Sequence, residues 1–314
     1  MPEKTRSTES GHLAAEGWPS LPLQEWDDTR ATLHLWSQIV GKIRLAQAPL
    51  INHWWQVPLY VTARGLTTTA IPYGDSFFQI DFDFIDHDLR IQTSKGGTER
   101  FRLAPCSVAE FYGEVMGRLR ALGLRIHIWT MPVEIENPVP FEADREHSAY
   151  DAEYPHRFWQ ALVQVDRILT TFRARFLGKV SPVHFFWGSF DHAVTRFSGR
   201  RAPPHPGAPN LADFVAREAY SHECSSCGFW PGGPGMPEAA FYAYAYPAPK
   251  GFENAPVRPE TAYFNEALSE FVLPYDAVRR SKDPEKALLE FLQSTYEAAA
   301  DLGNWDRAAL ERSS

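Results

Sequence analysis

The chain of 314 residues has 44% hydrophobic and 14% aromatic side chains, enough to bury a sizeable core in one large domain or two smaller ones. Its formal net charge of −8 argues against a surface for nucleic acids or anionic membranes, because both need a basic face. No apolar run is long enough to span a membrane, the N-terminus lacks the apolar centre of a signal peptide, and three cysteines suit a reducing compartment, so a cytoplasmic protein is expected.

The N-terminal part of the chain predicts one helix followed by a meander of strands. Residues 1–17 are polar and aperiodic, and disorder is expected there. Apolar residues at helical spacing predict a helix from Asp28 to about Leu45. Residues 50–103 predict an antiparallel meander, in which the run FFQIDFDF alternates apolar and polar side chains as a half-buried strand does.

A capping box predicts the start of the next helix. Ser107 and Glu110 have the spacing that satisfies the first backbone amides of a helix, and Gly123 is a stop signal. The run LRIHIWTMPVEI at residues 124–135 then predicts a further strand, which leads into a Pro-rich connector.

The second half of the chain predicts the same order of elements. Apolar residues at steps of three and four from Phe158 to Phe176 predict an amphipathic helix. Asp283 and Pro284 predict the start of a last helix that ends near Gly303. Strands are predicted between these helices at residues 183–197, 226–230, 239–246 and 271–273.

Two segments of the chain look alike, and their pairing suggests an internal duplication. PLINHWWQVPLYVTARGLTTT and SPVHFFWGSFDHAVTRFSGRR both run from Pro through His and a Trp-rich stretch to an Arg beside small residues. The pairing aligns His53 with His184 and Arg64 with Arg196. We therefore expect an α+β fold of internally duplicated helix–four-strand antiparallel meander–helix units, with the sheets joined or packed together and the helices outside.

The duplication defines the expected domain organisation. The first repeat would span residues 18–140 and the second residues 141–314, and the two would form one compact domain. The second repeat carries an insertion at residues 199–223, with a short helix through Phe214 that should end near Tyr220. Long irregular insertions in compact domains are often functional loops, so this one is the best single pointer to a site.

The chain resembles a known family in several long segments. These are WPSLPLQEWDDTRATLHLWSQIVGKIRLA, NHWWQVPLYVTARGLTT, VHFFWGSFDHAVTRFSGRRAPPHPG, REAYSHE, GFWPGG, AAFYAYAYPAP and LLEFLQSTYEAAADL. They are similar to segments of an uncharacterised bacterial protein family, a domain of unknown function. The resemblance extends from about Trp18 to Asp306, and it implies membership without implying an activity.

Histidines and a carboxylate from both halves could form a metal site. Imidazole and carboxylate ligands with open positions suit zinc or iron catalysis. The alternative is that each histidine is hydrogen-bonded in the core. The candidate ligands are His53, His184, His205, His222 and Glu223.

A second metal hypothesis uses the spacing of His222, Cys224 and Cys227, residue types that suit zinc. A structural zinc site usually needs a second pair of ligands, and the sequence has no other pair of cysteines. The alternative is that the two cysteines are small buried residues.

Four arginines are candidates for binding an anionic group, because a guanidinium binds carboxylate or phosphate through two parallel hydrogen bonds. They are Arg64, Arg196, Arg200 and Arg201. The alternative is ion pairing within the protein, with Asp27, Asp28, Asp81 or Asp83. Aromatic residues could wall an apolar pocket or could belong to the core. They are Trp54, Trp55, Phe185, Phe186, Trp187, Trp230, Tyr242, Tyr244 and Tyr246.

Two function hypotheses remain open at this stage. The first is an enzyme or enzyme-like binder of a small anionic or aromatic molecule, with a His- and Arg-lined cleft between the repeats that could hold a metal. His184, His222 and Glu223 would be catalytic there. The second is a non-catalytic module that uses an aromatic-rich sheet to form an oligomer or bind a partner. A homo-oligomer is compatible with both.

Overall fold

The computed structural model describes residues 17–207 and 210–312. It has an α+β architecture built on two antiparallel sheets of six strands each, here called the N-sheet and the C-sheet. The disorder expected for residues 1–17 falls, except for Gly17, outside the described residues. No helix in the described part of the chain has the length and apolar character needed to cross a membrane.

Seven α-helices surround the sheets within the described residues. They are α1 Leu23–Gln47, α2 Val108–Ala121, α3 Glu153–Ala174, α4 Asp213–Ala219, α5 Tyr275–Arg279, α6 Pro284–Leu302 and α7 Arg307–Leu310. Short 3₁₀ turns occur at Asn52–Trp54 and Phe252–Asn254.

The N-sheet comes from the first half of the chain. Its strands are β1 Tyr60–Val61, β2 Gly65–Thr67, β3 Ile71–Tyr73, β4 Ser76–Asp83, β5 Asp88–Thr93 and β6 Thr98–Arg102. They lie in the order β1-β2-β4-β5-β6, and β3 pairs with β4.

The C-sheet comes from the second half. Its strands are β7 His184–Phe186, β8 Asp191–Arg201, β9 His222–Trp230, β10 Ala240–Tyr246, β11 Tyr263–Asn265 and β12 Glu270–Pro274. They lie in the order β11-β12-β10-β9-β8-β7. Each sheet therefore has six strands where four were predicted, because short edge strands carry little sequence signal.

Local signals placed several elements correctly. Ser107 caps α2 by accepting a hydrogen bond from the Glu110 amide at 3.2 Å, and the Glu110 carboxylate accepts one in return from the Ser107 amide at 2.8 Å. Asp283 caps α6 in the same way through the Lys286 amide. Phe78, Ile80 and Phe82 of β4 are buried, as the alternation predicted.

The two sheets are joined along an edge. Leu59, just before β1, and Phe185 of β7 exchange two backbone hydrogen bonds of 2.9 Å, which form an antiparallel bridge. Helix α3 contacts β1 and β2 of the N-sheet and β8 of the C-sheet, so it spans the junction. This arrangement confirms that the sheets are joined.

Two predicted strands were wrong. Residues 124–135 form no strand, because their amides are bound elsewhere: Arg125 donates to the Tyr73 hydroxyl and Val133 to the Gln38 side chain. The predicted strand 183–197 is broken by a turn into β7 and β8, where Phe190 adopts a left-handed φ of 61°.

The equivalence of His53 and His184 was also wrong. His53 lies in the 3₁₀ turn with a left-handed φ of 59°, whereas His184 lies in β7 opposite Ala193. The internal duplication as a whole stays a prediction. The insertion is shorter than residues 199–223, because β8 continues to Arg201 and β9 begins at His222; the predicted short helix is α4.

Alternation along the strands gives the C-sheet two different faces. The inner face, including Arg196 and Phe229, packs on α3 and α6. The outer face lies away from these helices. At one end it is covered by the 3₁₀ turn, where the His53 ring lies 4.7 Å from that of Phe197.

Candidate functional site

The outer face of the C-sheet holds a group of polar side chains that we call the carboxyl–phenol cluster, formed by Glu134, Asp191, Tyr242 and Glu270. Asp191 begins β8 and is 7% exposed. The Tyr242 hydroxyl on β10 donates a hydrogen bond to the Asp191 carboxylate, which requires its ring to cross the intervening strand β9. Gly228 of β9 permits the crossing, because a Cβ there would lie 2.6 Å from the Tyr242 hydroxyl.

Burial sets the protonation of the carboxyl groups. It raises the pKa of Asp191 to about 7; the Tyr242 hydrogen bond opposes this effect, and the charge of Glu134 adds to it. Burial also raises the pKa of Glu270 to about 7, and the charge of Asp191 contributes to the same shift. The pKa of Glu134 is raised by burial, against a hydrogen bond of 2.7 Å from the Ser189 hydroxyl.

The carboxyl groups of this cluster lack a counter-ion. Within residues 17–207 and 210–312, no Lys, Arg or His nitrogen lies within 4.0 Å of a carboxylate oxygen of Glu134, Asp191 or Glu270. Glu270 and Tyr242 are only half-buried, so the cluster is open to solvent although burial strongly perturbs it. Carboxyl groups with strongly perturbed pKa values are common at functional sites.

Phenol groups extend the cluster along the sheet. The Tyr242 and Tyr244 rings stack with centroids 6.1 Å apart, and the hydroxyls of Tyr244 and Tyr220 are hydrogen-bonded at 2.8 Å. The His205 ring stacks on Tyr220 at 4.6 Å. The face therefore presents aromatic surface beside carboxyl groups, a combination that suits a ligand with a cationic group.

The carboxyl–phenol cluster can perform acid–base chemistry. A carboxyl group with a pKa near 7 is divided between its acid and base forms at neutral pH, which is the condition for efficient proton transfer. Asp191 also has a fixed orientation, because its partner Tyr242 is held in the sheet.

The structure brings two of the predicted histidines together. The rings of His53 and His222 lie with centroids 5.7 Å apart, although they come from different halves of the chain. His53 Nδ1 lies 2.8 Å from the Ala219 carbonyl oxygen, and its Nε2 lies 2.7 Å from Lys179 Nζ. Lys179 was not among the predicted site residues.

His184 lies in a different environment. It is fully buried among the rings of Trp55, Tyr60 and Phe186, and neither ring nitrogen has a hydrogen-bond partner among the described residues. Burial lowers its pKa to about 3, so the imidazole is neutral. The site found at the cluster does not include it.

The predicted metal site does not form in the described part of the chain. No group of three or more His, Cys, Asp or Glu side chains is placed there to hold a metal ion. Glu223 instead accepts hydrogen bonds of 2.8 Å from Ser198 and Arg200.

The two cysteines of β9 cannot share a ligand. Cys224 and Cys227 are three residues apart in one strand, so their side chains point to opposite faces of the C-sheet. Both are free and buried, and burial raises the pKa of each thiol to about 12.

Three of the four predicted anion-binding arginines are engaged within the protein, and the fourth, Arg201, has no carboxylate oxygen within 4.0 Å in the described residues. Arg64 binds both carboxylate oxygens of Asp83, at 2.6 and 3.2 Å. Arg196 is 1% exposed, and its guanidinium lies 3.5 Å from the centre of the Phe172 ring. Arg200 donates to the Gly303 and Asn304 carbonyls at the end of α6, besides its bond to Glu223.

The two predicted tryptophans lie apart. Trp187 is 5% exposed; its indole packs against Gly41 of α1 and donates a hydrogen bond of 2.9 Å to the Val57 carbonyl. Trp230 is half-buried on the outer face of the C-sheet, where it packs beside Met236. Only Trp230 shares a face with the carboxyl–phenol cluster.

Sequence reasoning missed most of this cluster. Asp191 lies in SPVHFFWGSFDHAVTRFSGRR, one of the two similar segments, and Tyr242 and Tyr244 alternate in β10, so part of the signal was present. Glu134 and Glu270 come from a loop and from β12, and no local pattern marks them.

Comparison with known proteins places the chain in a family. Residues 18–312 match a family described as "Family of unknown function (DUF5996)". The chain belongs to that family, which confirms the resemblance. Neither the comparison with curated proteins nor that with solved structures gave a match.

Proposed function

We propose that this protein is an enzyme-like binder of a small organic cation, such as an amine, and that the ligand binds at the carboxyl–phenol cluster. The observation that carries the proposal is the set of three carboxyl groups that interact electrostatically and have no cationic partner within 4.0 Å in the described residues. A bound cation would supply the missing charge. The site's aromatic surface favours the same ligand.

Each residue of the cluster has a role in this proposal. Asp191 forms the ion pair with the ligand and exchanges a proton with it, because its pKa of about 7 makes both forms accessible. Tyr242 orients Asp191 through its hydrogen bond. Glu134 and Glu270 add negative charge, and Tyr244 with Trp230 supplies aromatic surface.

The ligand class differs from the anionic one expected from the sequence. Three of the four arginines behind that expectation contact carboxylates, carbonyls and aromatic rings of the protein itself. The carboxyl–phenol cluster, by contrast, is acidic. The proposal keeps the expectation of a small-molecule binder and does not include the metal ion that was expected in its cleft.

The test is thermal unfolding with a panel of ligands. Putrescine and tetramethylammonium should raise the melting temperature of the wild-type protein at neutral pH, and the uncharged diol of the same length as putrescine should not. Asp191→Asn should abolish the shift. The matched control is Glu260→Gln, which removes an exposed carboxylate with no ion-pair partner among the described residues and should leave the shift intact.

Two results would contradict the proposal. One is a wild-type protein that none of the cations stabilises. The other is an equal shift in the wild type and in Asp191→Asn, which would indicate general screening of the negative charge.

The non-catalytic alternative has one observation in its favour. Phe214 of α4 is 65% exposed beside Trp54, and Leu50 and Ile51, which lead into the same 3₁₀ turn, are 60% and 46% exposed. Apolar side chains grouped on a surface mark interaction sites in soluble proteins. A protein that ignores the cations and associates with rising concentration would favour this alternative.

A further inference from the structure

A second group of charged side chains lies at the far end of the C-sheet, where β9 begins. It consists of Lys179, Arg201 and His222, with His53 behind them, and we call it the basic cluster. His222 is six residues along β9 from Gly228, or roughly 20 Å away at the rise of a strand. The basic cluster is therefore separate from the carboxyl–phenol cluster.

Hydrogen bonding fixes the tautomer of the His53 ring. Its Nδ1 faces the Ala219 carbonyl oxygen, which only accepts, so Nδ1 carries the proton. The lone pair of Nε2 then accepts a hydrogen bond from Lys179 Nζ at 2.7 Å. This bond uses one ammonium hydrogen, and Lys179 has two more for a ligand.

Aromatic rings hold the lysine in place. Lys179 Nζ lies 5.2 Å from the ring centres of both Trp55 and Phe197, within the range of cation–π attraction. His53 and Trp54 keep left-handed φ angles of 59° and 62°, conformations that persist only where the surroundings hold them. The ammonium group is thus positioned before any ligand arrives.

Positive charge at the basic cluster has no local compensation. Arg201 lies opposite His222 in the pairing of β8 with β9. Burial lowers the pKa of His222, and the charges of Lys179 and Arg201 lower it further. In the part of the chain that the structure describes, no carboxylate oxygen lies within 4.0 Å of these three side chains.

Nearby acidic groups do not neutralise the positive charge of the basic cluster. The charge of Glu218 on α4 raises the pKa of His53, but burial and the charges of Lys179 and His222 lower it, and the pKa is lowered as a result. Glu223, the neighbour of His222 on β9, is bound to Arg200 and Ser198. The protein carries a formal charge of −8, yet within residues 17–207 and 210–312 Lys179 and Arg201 have no carboxylate partner.

We propose that the basic cluster binds a small oxyanion, either a phosphate or a carboxylate group. The Lys179 ammonium and the Arg201 guanidinium donate charge-assisted hydrogen bonds to the anion. His222 contributes its ring nitrogen Nε2, since Nδ1 contacts the Ser221 hydroxyl at 3.1 Å. The site goes beyond the proposed function, because it uses different residues and a ligand of opposite charge.

The experiment is an NMR titration of the histidine ring signals of the full chain with inorganic phosphate, with acetate, and with sodium chloride at matched ionic strength. Phosphate, acetate or both should shift the His222 signals along a saturating curve, and chloride should not. Saturation by phosphate alone identifies a phosphate ligand, and saturation by acetate identifies a carboxylate ligand.

Variants separate this site from general attraction of anions. Lys179→Met and Arg201→Met should each weaken the saturating ligand by about tenfold or more. Lys282→Met removes an exposed lysine with no ion-pair partner in the described residues and should leave the affinity unchanged. Circular dichroism verifies that each variant folds.

The proposal is overturned if the His222 shift never saturates, or if Lys179→Met and Lys282→Met bind the anion equally. Failure here would leave the cation site untouched, because the panel of amines reports on Asp191 and not on His222.

Discussion

Two buried aspartates, one in a strand of each sheet, have opposite electrostatic surroundings. Asp83 at the end of β4 is 2% exposed and lies 2.6 Å from Arg64 Nε and 2.9 Å from Arg90 Nη2. Its burial raises its pKa, but the hydrogen bond from Arg64, the backbone amides and Arg90 outweigh burial, so the pKa is lowered. Asp191 is 7% exposed with one phenol donor, and its pKa is raised to about 7.

The difference separates a structural carboxylate from one that is free to react. Asp83 is ionised and fully engaged, so a ligand would have to compete with two arginines. Asp191 carries an unfavourable charge that a ligand could stabilise. Burial alone thus says little about the role of an aspartate; the presence of a cation beside it decides.

The largest effect is expected from removing the compensated carboxylate. Asp83→Ala should lower the free energy of unfolding by about 3 kcal/mol, because it removes the buried acceptor of two backbone amides and leaves Arg64 and Arg90 with only the exposed Asp86 as a partner. Urea denaturation measures the change. Asp75→Asn, which breaks an exposed ion pair with Lys95, should cost less than about 1 kcal/mol. Equal effects of the two substitutions would show that Asp83 is not structural.

Asp191→Asn should become more stable relative to the wild type as the pH rises, whereas Asp83→Ala is destabilising. The pKa of Asp191 is raised on folding, so the stability associated with its protonated form is present at low pH and is lost as pH rises from about 4 to about 7. An asparagine does not titrate. The difference in unfolding free energy, variant minus wild type, should therefore increase by about 2 kcal/mol between about pH 5 and pH 8.

That difference profile is measured by urea denaturation at several pH values. Glu260→Gln, which removes an exposed carboxylate with no ion-pair partner among the described residues, provides the control. A flat profile for Asp191→Asn would mean that Asp191 is compensated in the protein, and the contrast with Asp83 would fail.

Much of the fold could be predicted from the sequence, because its signals are local. Alternation marked β4, and the capping residues Ser107 and Asp283 marked the starts of α2 and α6. Residues 124–135 misled, because an apolar alternating run says nothing about whether a neighbouring strand is available to pair with it.

The candidate site could be predicted only in part, because it depends on contacts across strands. His53 and His222 were predicted to share a site and lie together, but Lys179 joins them from a loop with no pattern of its own. Asp191 and Tyr242 are distant in the chain and meet only because Gly228 lets a ring cross β9. The strand register that creates this contact cannot be read from either segment.

The smallest effect, and the most specific, concerns the hydrogen bond between Tyr242 and Asp191. This bond stabilises the ionised carboxylate, so it lowers the pKa of Asp191 against the larger effect of burial. Tyr242→Phe keeps the ring and removes the donor, and the pKa should rise by up to about 1 unit, equivalent to about 1.4 kcal/mol. A titration of the Asp191 carboxyl carbon by NMR measures it. Tyr244→Phe is the matched control, because its hydroxyl contacts Tyr220 instead of Asp191.

If Tyr242→Phe left the pKa of Asp191 unchanged, or if both variants shifted it equally, the Tyr242 hydroxyl would not influence the pKa of the carboxyl group. If the pKa of Asp191 rises in Tyr242→Phe and not in Tyr244→Phe, this one hydrogen bond keeps the pKa of Asp191 near 7. Asp83 has two arginines in that role.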